Sequence, residues 1–276
     1  MKLYIDAGGT HLRAAWDDAE TVRADAASTD LVDFIESLIA RRGVPEFIGI
    51  AFAGQVHGGR IVGAPNIAVS QPEIQSRFES RYPLRLEIDN DLSCAVMAEA
   101  ASRQASNLVA LYAGTGLGCG VVSEGRVLRG SRGFAAELGH IPYREAPFAC
   151  GCGKSDCIEL YASGSGLAKW QRDGGERGVL TLRQLRGGSP AQRRIAEDFD
   201  AALVHAAATA VTLFNPEWLV LGGGIVRENP ELLETLRERL HNHALAASLE
   251  GLQIVETELD EAPLEGAKLL ERNLYA

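Results

Sequence analysis

Three cysteines beside a histidine form the part of this chain best suited to chemistry. Cys150, Cys152 and Cys157 fall within eight residues, and His140 precedes the first of them by ten. One imidazole and three thiolates are a complete ligand set for tetrahedral zinc, with no position left for a water that the metal could activate. The spacing therefore predicts a structural zinc site made of these four residues.

Two carboxylates flank the predicted zinc site. Glu137 precedes His140 by three residues, and Glu159 follows Cys157 by two. Residues three apart share a helix face, so Glu137 and His140 lie side by side if this segment is helical. A solvated ion pair is the plain alternative for these two side chains. Next to a metal, both acids are better explained as groups that the zinc site holds in place for a polar ligand.

Two turns rich in glycine and threonine are candidates for binding phosphate. They are Gly8-Gly9-Thr10, which follows Asp6, and Gly114-Thr115-Gly116. Glycine lets backbone N–H groups approach a phosphate closely, and a threonine hydroxyl adds a further donor. Asp6 is placed to hold a magnesium ion through water. Neither turn has the Walker or Rossmann pattern, and an ordinary tight turn explains either segment alone equally well.

Asn90 and Asp91 follow a predicted strand and precede a predicted helix. Residues at the carboxyl end of a strand in an α/β sheet lie where ligands bind, and an aspartate there can remove a proton from a sugar hydroxyl. The same pair is also suitable for capping the start of the helix. Without other observations the capping interpretation is the stronger one.

The composition limits the classes of protein to consider. The chain has 276 residues, of which 46% are hydrophobic and 23% charged, as is typical of a globular protein. A net charge of −10 argues against a nucleic-acid partner. No apolar stretch is long enough to cross a membrane or to act as a signal peptide. Five cysteines, three of them closely spaced, favour metal-bound thiolates in a reducing cytoplasm; Cys94 and Cys119 are expected to be small buried side chains.

Hydrophobic periodicity and capping residues predict alternating strands and helices, and hence an α/β architecture. Ser28-Thr29-Asp30 provides the strongest helix start. The predicted strands cover residues 2–5, 12–16, 21–24, 47–52, 84–88, 108–112, 120–122 and 218–221. The predicted helices cover residues 31–40, 91–103, 191–214, 231–243 and 265–274.

A weak internal repeat relates the two halves of the chain. Each half has a Gly/Thr turn, and each has a strand opened by Pro-Glu, at Pro45-Glu46 and at Pro216-Glu217. This pattern predicts a duplicated unit facing its copy across a cleft, with hinges near residues 103–107 and 258–264.

The order of these motifs resembles the ROK group of bacterial sugar kinases and repressors. It is also similar to the N-acetylmannosamine kinase half of the animal bifunctional sialic-acid enzyme. The motifs are Asp-x-Gly-Gly-Thr, Asn-Asp, Gly-Thr-Gly-x-Gly, Glu-x-Gly-His, Cys-x-Cys-Gly-x-x-x-Cys-x-Glu and Asn-Pro-Glu…Gly-Gly-Gly. The resemblance extends over residues 2–267, and the zinc segment is its most specific part.

The resemblance implies an actin-like, ribonuclease-H-like α/β fold of two lobes, with ATP and sugar in the cleft between them. The N-terminal lobe is expected at residues 1–105 together with a C-terminal helix at about 262–276, and the C-terminal lobe, with the zinc site, at 106–261. The implied cofactors are ATP, Mg²⁺ and structural Zn²⁺. The residues implied to face the ATP phosphates and metal are Asp6, Gly8, Gly9 and Thr10 in one lobe and Gly114, Thr115 and Gly116 in the other, with Gly222, Gly223 and Gly224 near the adenosine.

The resemblance also implies the reaction: ATP-dependent phosphorylation of a hexose, such as glucose, N-acetylglucosamine or N-acetylmannosamine, at its 6-hydroxyl. Asp91 matches the catalytic base, and one ring nitrogen of His140 is expected on zinc and the other on the sugar. A homodimer acting on a small-molecule sugar is implied. The positions that match sugar-binding residues are Asn66, Asn90, Asp91, Glu137, His140 and Glu159.

Other functions stay open at this point. A sugar-responsive regulator is the main alternative, although strand residues begin at position 2 with no basic segment before them. A catalytically silent sugar sensor and a polyphosphate-dependent kinase are further alternatives, and the sugar itself is not identified. Three positions depart from the family pattern: Asp156 and Cys119 replace glycines, and Ala53 stands where proline is frequent.

Overall fold

The structure is a computed structural model that describes residues 1–17, 21–64 and 67–272. The chain divides into two compact units. The first contains residues 1–104, 125–135 and 259–276, and the second contains residues 105–124 and 136–258.

The first unit is built on a five-stranded mixed sheet. Its chain begins with β1 (Lys2–Ala7), β2 (His11–Trp16), β3 (Thr21–Asp25), α1 (Leu31–Arg42), β4 (Phe47–Phe52), β5 (Gln55–His57), β6 (Arg60–Gly63), α2 (Ile74–Arg81), β7 (Arg85–Asn90) and α3 (Asp91–Arg103). The strands lie in the order β3-β2-β1-β4-β7, with β1, β4 and β7 parallel and β5 and β6 paired as a separate hairpin. Every residue of β4 is buried, as expected for the central strand of a sheet covered on both faces.

The start of α1 shows how local sequence fixes an element. Asp30 is the N-cap, and its carboxylate accepts hydrogen bonds from the backbone N–H groups of Val32 and Asp33. The apolar residues on one face of this helix pack into the core of the first unit. The predicted helix start is confirmed.

The second unit repeats this plan. After β8 (Leu108–Ala113) and β9 (Leu117–Ser123) the chain forms the short strand β10 (Arg126–Val127) in a segment belonging to the first unit. It continues with α4 (Gly164–Asp173), α5 (Leu182–Arg186), α6 (Pro190–Phe214), β11 (Trp218–Gly222), α7 (Gly224–Glu228), α8 (Glu231–Arg239) and β12 (Gln253–Glu256). Within this unit β9, β8, β11 and β12 are neighbours in that order, and β8, β11 and β12 are parallel.

Backbone hydrogen bonds confirm the internal repeat. Glu46, just before β4, donates its N–H to the residue preceding β1 and accepts at its carbonyl from the start of β7. Glu217, just before β11, makes the equivalent pair of bonds, to the residue preceding β8 and from the start of β12. The Pro-Glu pair therefore begins the middle one of the three parallel strands in both units.

The chain returns to the first unit with α9 (Ala262–Leu269), which packs against α3. At the crossing, a Cβ on Gly266 would stand 1.9 Å from the carbonyl oxygen of Cys94, so only glycine allows the two helices to come this close. The helix begins three residues before the predicted 265–274 segment, and residues 273–274 lie outside the described residues.

One predicted helix is too long. The 231–243 segment is α-helical only to Arg239 and continues as a 3-10 turn over Leu240–Asn242. Within the described ranges, no helix has the combination of length and apolar character that crossing a bilayer requires.

Candidate active site

The carboxyl ends of the parallel strands in the first sheet bring several predicted site residues to one edge. Asp6 lies near the end of β1 and Asn90 ends β7. The side-chain amide of Asn90 donates to the carbonyl of Gly54, after the intervening strand β4, at 3.0 Å. The turn Gly8-Gly9-Thr10 leaves this same edge, and Gly9 and Thr10 are exposed. This edge of an α/β sheet is where ligands bind.

Asn90 and Asp91 divide the capping of α3 between them. Asn90 Oδ1 accepts from the N–H groups of Leu92 and Ser93, at 2.9 and 3.1 Å. Asp91 is half-buried, and its Oδ1 lies 3.0 Å from the N–H of Leu92 and 3.1 Å from the amide nitrogen of Asn90. The capping interpretation is thus correct for Asn90, and it orients the neighbouring carboxylate at the positive end of a helix.

Asp6 is 8% exposed, and its surroundings disfavour the charged form. Burial raises the pKa of Asp6 from 3.8 to about 6; Arg13, 3.9 Å away, opposes the rise, and the charge of Glu261 adds to it. Arg13 is itself shared with Glu261, at 3.3 Å. The carboxyl is therefore poised to ionise when a cation approaches.

The turn Gly114-Thr115-Gly116 joins β8 to β9 in the second unit. Gly114 donates its N–H to the carbonyl of Gly116 at 3.0 Å, just as Gly8 donates to the carbonyl of His11 at 3.0 Å in the first unit. The start of α4 holds the turn, because Gly164 and Ser165 donate to the carbonyls of Gly114 and Thr115.

The run Gly222-Gly223-Gly224 lies next to this turn, between β11 and α7. Gly223 has φ +93°, and a Cβ there would stand 2.4 Å from the carbonyl oxygen of Ala113, the last residue of β8. Only glycine fits, and the close approach sets the two glycine turns of the second unit side by side.

The four predicted zinc ligands come together in the second unit. One ligand atom from each of His140, Cys150, Cys152 and Cys157 lies within 4.8 Å of all the others. His140 Nδ1 is 3.6 Å from Cys150 Sγ, and the sulfurs of Cys152 and Cys157 are 3.4 Å apart. Tetrahedral zinc with bonds of about 2.3 Å to sulfur places ligand atoms about 3.8 Å apart. The residues present therefore fit a structural zinc ion.

The loop that carries these cysteines is held by its own backbone. Tyr143 donates to the carbonyl of Asp156 at 2.7 Å, and Cys150 donates to that of Lys154 at 2.7 Å. The left-handed conformation in this loop falls at Gly153, with φ +88°. Asp156 therefore does not strain the loop, although it replaces a family glycine.

Glu137 precedes a 3-10 turn, Leu138–His140, rather than an α-helix. The N–H of His140 donates to the carbonyl of Glu137 at 3.0 Å, and the two side chains are close enough for their charges to interact. Glu137 is exposed as a residue, yet the surrounding protein desolvates its carboxyl and raises its pKa; Glu159 adds to the rise and His140 opposes it.

Glu159 links the cysteine cluster to the glycine turn of the same unit. Its Oε2 accepts from the N–H of Leu117, which follows the turn, at 3.1 Å. Its Oε1 lies 3.3 Å from Cys150 Sγ. When Cys150 is a metal-bound thiolate it has no proton to donate, so Oε1 becomes available to another donor.

Several residues fall outside the sequence interpretation. Asn66 lies outside the described residues. The predicted burial of Cys94 and Cys119 is confirmed, and Cys119 is an ordinary strand residue of β9.

The pair Asp89–Arg129 was not predicted: Arg129 Nε donates to Asp89 Oδ2 at 2.9 Å, directly beside Asn90. No local sequence signal joins residues forty positions apart.

A repeated α/β plan with a glycine turn at matching positions of both units defines the class of actin-like ATPase proteins. Within this class, the profile of the ROK family matches residues 3–273, and the chain belongs to that family. The predicted family and fold class are both confirmed.

Named relatives of the chain include several sugar kinases. An N-acetyl-D-glucosamine kinase of Pectobacterium carotovorum subsp. carotovorum is 31% identical, covering 87% of this chain and 89% of that protein. A glucokinase of Halalkalibacterium halodurans is 27% identical, covering 90% and 88%. A ROK family glucokinase from Streptomyces griseus, crystallised with glucose and AMPPNP, matches with a TM-score of 0.78 at 26% identity over 98% of both chains.

Proposed function

We propose that this chain is an ATP-dependent sugar kinase that phosphorylates a hexose on its 6-hydroxyl. The observation that carries the proposal is the edge of the first sheet, where the Gly8-Gly9-Thr10 turn follows β1 and the half-buried carboxylate of Asp91 follows β7, two parallel strands that flank β4. A phosphate-binding turn and a general base at one edge are the parts that phosphoryl transfer to an alcohol requires.

Asp91 acts as the general base. Its carboxylate takes the proton from the sugar hydroxyl while the hydroxyl oxygen attacks the γ-phosphorus and the bond to the β-phosphate oxygen breaks. Asn90 fixes the base, because its amide nitrogen lies 3.1 Å from Asp91 Oδ1. A positioned base contributes about 10²–10⁴-fold to such a rate.

The glycine turns hold ATP. Backbone N–H groups of Gly8, Gly9 and Thr10, and of Gly114, Thr115 and Gly116, are proposed to face the phosphates, with Gly222, Gly223 and Gly224 near the adenosine. Mg²⁺ supplies neutralisation of the charge on the phosphoryl oxygens. Asp6 is proposed to lose its proton when that cation binds, because its pKa of about 6 leaves it easily ionised.

The sugar is held by polar groups next to the cysteine cluster. His140 presents Nδ1 to Cys150, so Nε2 is the nitrogen proposed to meet the sugar. Glu137 and Glu159 are proposed to accept hydrogen bonds from sugar hydroxyls, and Asn90 and Asn66 are proposed as further sugar-binding residues. Zn²⁺ bound by His140 and the three cysteines would have four protein ligands and no position left for a substrate. Its role would therefore be structural: it would keep this segment rigid.

The sugar is glucose or an N-acetylhexosamine such as N-acetylglucosamine or N-acetylmannosamine, as the names of the relatives suggest. A homodimer is proposed on family resemblance; sedimentation equilibrium of the purified chain tests it. A molar mass equal to that of a single chain at all concentrations measured would contradict the homodimer.

The decisive experiment is ADP release measured with Mg²⁺, ATP and a panel of hexoses and N-acetylhexosamines. Steady turnover with one sugar well above the others supports the proposal and names the substrate. Sugar binding by calorimetry without ADP release would instead favour the silent sensor or regulator. Turnover with polyphosphate but not ATP would identify a different phosphoryl donor.

A further inference from the structure

An ion pair that the proposed mechanism does not use lies two residues before the candidate base. Nε and Nη2 of Arg129 both lie 2.9 Å from Oδ2 of Asp89, so two nitrogens of the guanidinium contact one carboxylate oxygen. The side chains of Arg129 and Asp89 are 32% and 16% exposed, and both residues belong to the first unit. The pair is therefore partly shielded from water and sits at the end of β7.

The second oxygen of Asp89 holds the backbone of the next residue. Asp89 Oδ1 accepts a hydrogen bond from the N–H of Asn90 at 2.8 Å. Because Oδ2 is held by Arg129 at the same time, a rotation of the carboxylate would disturb both contacts. An ionised carboxylate has two acceptor oxygens for such a bridge. Asp89 therefore connects the guanidinium to the backbone of Asn90.

Asn90 extends this connection to the candidate base. Its amide nitrogen donates to the carbonyl of Gly54 at 3.0 Å and lies 3.1 Å from Asp91 Oδ1. Its side-chain oxygen caps the first turn of α3. A displacement of the Asn90 backbone would therefore also move the carboxylate of Asp91.

The loop that begins at Arg129 is anchored within the first unit. The carbonyl of Arg129 accepts a hydrogen bond from the N–H of Ala135 at 3.1 Å, which closes the loop of residues 129–135. Near the end of the loop, Gly133 has φ +81°, and a Cβ there would stand 2.5 Å from the carbonyl oxygen of Val56 in β5. The loop therefore packs closely on the β5–β6 hairpin, and the backbone that carries Arg129 is held in place.

The charge of Arg129 acts on the same part of α3 as the charge of the candidate base. Burial raises the pKa of the Cys94 thiol in the first turn of α3; the charges of Asp89 and Asp91 raise it further, and Arg129 opposes the rise. Nη2 of Arg129 also lies 4.0 Å from Sδ of Met97 in the next turn. The guanidinium therefore offsets negative charge at the start of this helix.

We propose that Arg129 is a positioning residue for the general base: together with Asp89 it fixes the start of α3 so that the carboxylate of Asp91 meets the sugar hydroxyl. The inference rests on the proposed kinase function and adds to it a residue that acts through Asp89. The plain alternative is an ion pair that contributes only to stability, and for partly exposed side chains that contribution is small. Kinetics separate the two, because displacing a catalytic group by about 1 Å lowers turnover by about 10²-fold.

The first test is Arg129→Met, which keeps the length of the side chain and removes its charge and donors. Its kcat for ADP release is expected to fall about tenfold to a hundredfold, because only the transition state requires the aligned base. The KM for sugar and the melting temperature should stay close to the parental values.

The matched control is Arg85→Met at the other end of β7. Arg85 makes a pair of the same geometry, with Nε and Nη2 at 3.2 and 3.0 Å from one oxygen of Glu87. Its kcat should equal that of the parent. A parental kcat in Arg129→Met, or equal losses of kcat in Arg129→Met and Arg85→Met, overturns the proposal.

The second test changes the other member of the pair. Asp89→Asn leaves a single acceptor oxygen, which can serve either Arg129 or the N–H of Asn90 but not both. Its kcat is expected to fall by a factor similar to that of Arg129→Met. The double variant should be no slower than the slower single variant, because the two residues act as one unit. A parental kcat in Asp89→Asn, or losses that multiply in the double variant, overturns the proposal.

The two proposals fail in different ways. If the unmodified protein releases ADP with a sugar and the variants of the pair do so at the parental rate, only the role of Arg129 is wrong. If the unmodified protein releases no ADP with any sugar, the proposed function fails and the role of Arg129 with it. Should Arg129→Met not fold, the kcat of Asp89→Asn decides the role of the pair.

Discussion

Asp91 has two roles that a single substitution can separate. It accepts from the N–H of Leu92 at the start of α3, and in the proposed mechanism it also takes a proton. Asp91→Asn keeps an oxygen acceptor for the helix but cannot serve as a base. We expect near-unchanged thermal stability and sugar affinity, with kcat lower by about 10²–10⁴-fold, measured by ADP release.

The matched control is Asp33→Asn, an exposed aspartate in the first turn of α1. It removes the same charge from the first turn of another helix, so its turnover should match that of the parent. If Asp91→Asn phosphorylates sugar at a comparable rate, another group is the base.

Asp6 predicts an unusual dependence of stability on pH. Its pKa is about 6 in the fold against 3.8 ordinarily, so folding favours the protonated form. The resulting stabilisation is complete below pH about 4 and is lost as pH rises through about 6, a change of about 3 kcal/mol. Asp6→Asn cannot ionise and should therefore unfold at a higher temperature than the parent at pH 7–8, when no nucleotide is present.

Thermal unfolding of both proteins from pH 4 to 8 checks this expectation. The melting temperatures of the two proteins should differ by a constant amount below pH about 4, diverge as the pH rises from about 4 to about 6, and show no further divergence above that. Adding Mg²⁺ and ATP should stabilise the parent more than the variant, because the cation favours the ionised carboxylate. Parallel pH profiles for the two proteins would show that Asp6 titrates normally.

At the scale of elements, the cysteine loop is expected to depend on its metal. Cys152→Ser removes one ligand from the exposed side of the cluster. We expect zinc content to fall, hydrogen exchange to increase over residues 141–158, and the KM for sugar to rise at least about tenfold, because Glu137, His140 and Glu159 lose their fixed positions.

Cys119→Ala is the control for this experiment, since Cys119 is buried in β9 outside the cluster. Its zinc content and sugar KM should stay at parental values. A metal-depleted Cys152→Ser protein with an unaltered KM for sugar would separate zinc from the sugar site.

The glycine run after β11 offers a pair of neighbouring residues with opposite constraints. Gly223 has φ +93° and no space for a Cβ, whereas Gly224 has nothing within 4 Å of the Cβ position. Gly223→Ala should lower the free energy of unfolding by about 1–3 kcal/mol and weaken ADP binding; Gly224→Ala should change stability little. Chemical denaturation and calorimetry measure both, and equal effects from the two substitutions would contradict the strain argument.

Elements with strong local signals were predictable from sequence. Asp30 caps α1 through its own side chain, and the Pro-Glu pairs open the central strands of both units. The elements that were missed are mostly short: the helices α2, α4, α5 and α7, the strand β10, the β5–β6 hairpin and β12. For example, the side chain of Gln171 holds the segment before α5 through two hydrogen bonds to the backbone of Leu180, which lies nine residues away in irregular structure.

For the whole molecule, groups of residues at short spacing were easier to predict than contacts between distant ones. The four candidate zinc ligands follow from their spacing, and the structure brings them together. Asp91 stays a prediction that rests on the family resemblance and on its position after a strand. Arg129 beside Asp89 has no such signal, because folding brings these residues together across forty positions.

The return of α9 to α3 has a consequence for the order of events during synthesis. The first unit is missing the helix that covers Cys94 until residues 262–269 have left the ribosome, although its five-stranded sheet was translated long before. All residues of the second unit have been synthesised by residue 258. The first unit therefore cannot complete the packing of α3 until the whole of the second unit has been synthesised, unlike a domain formed from one continuous segment.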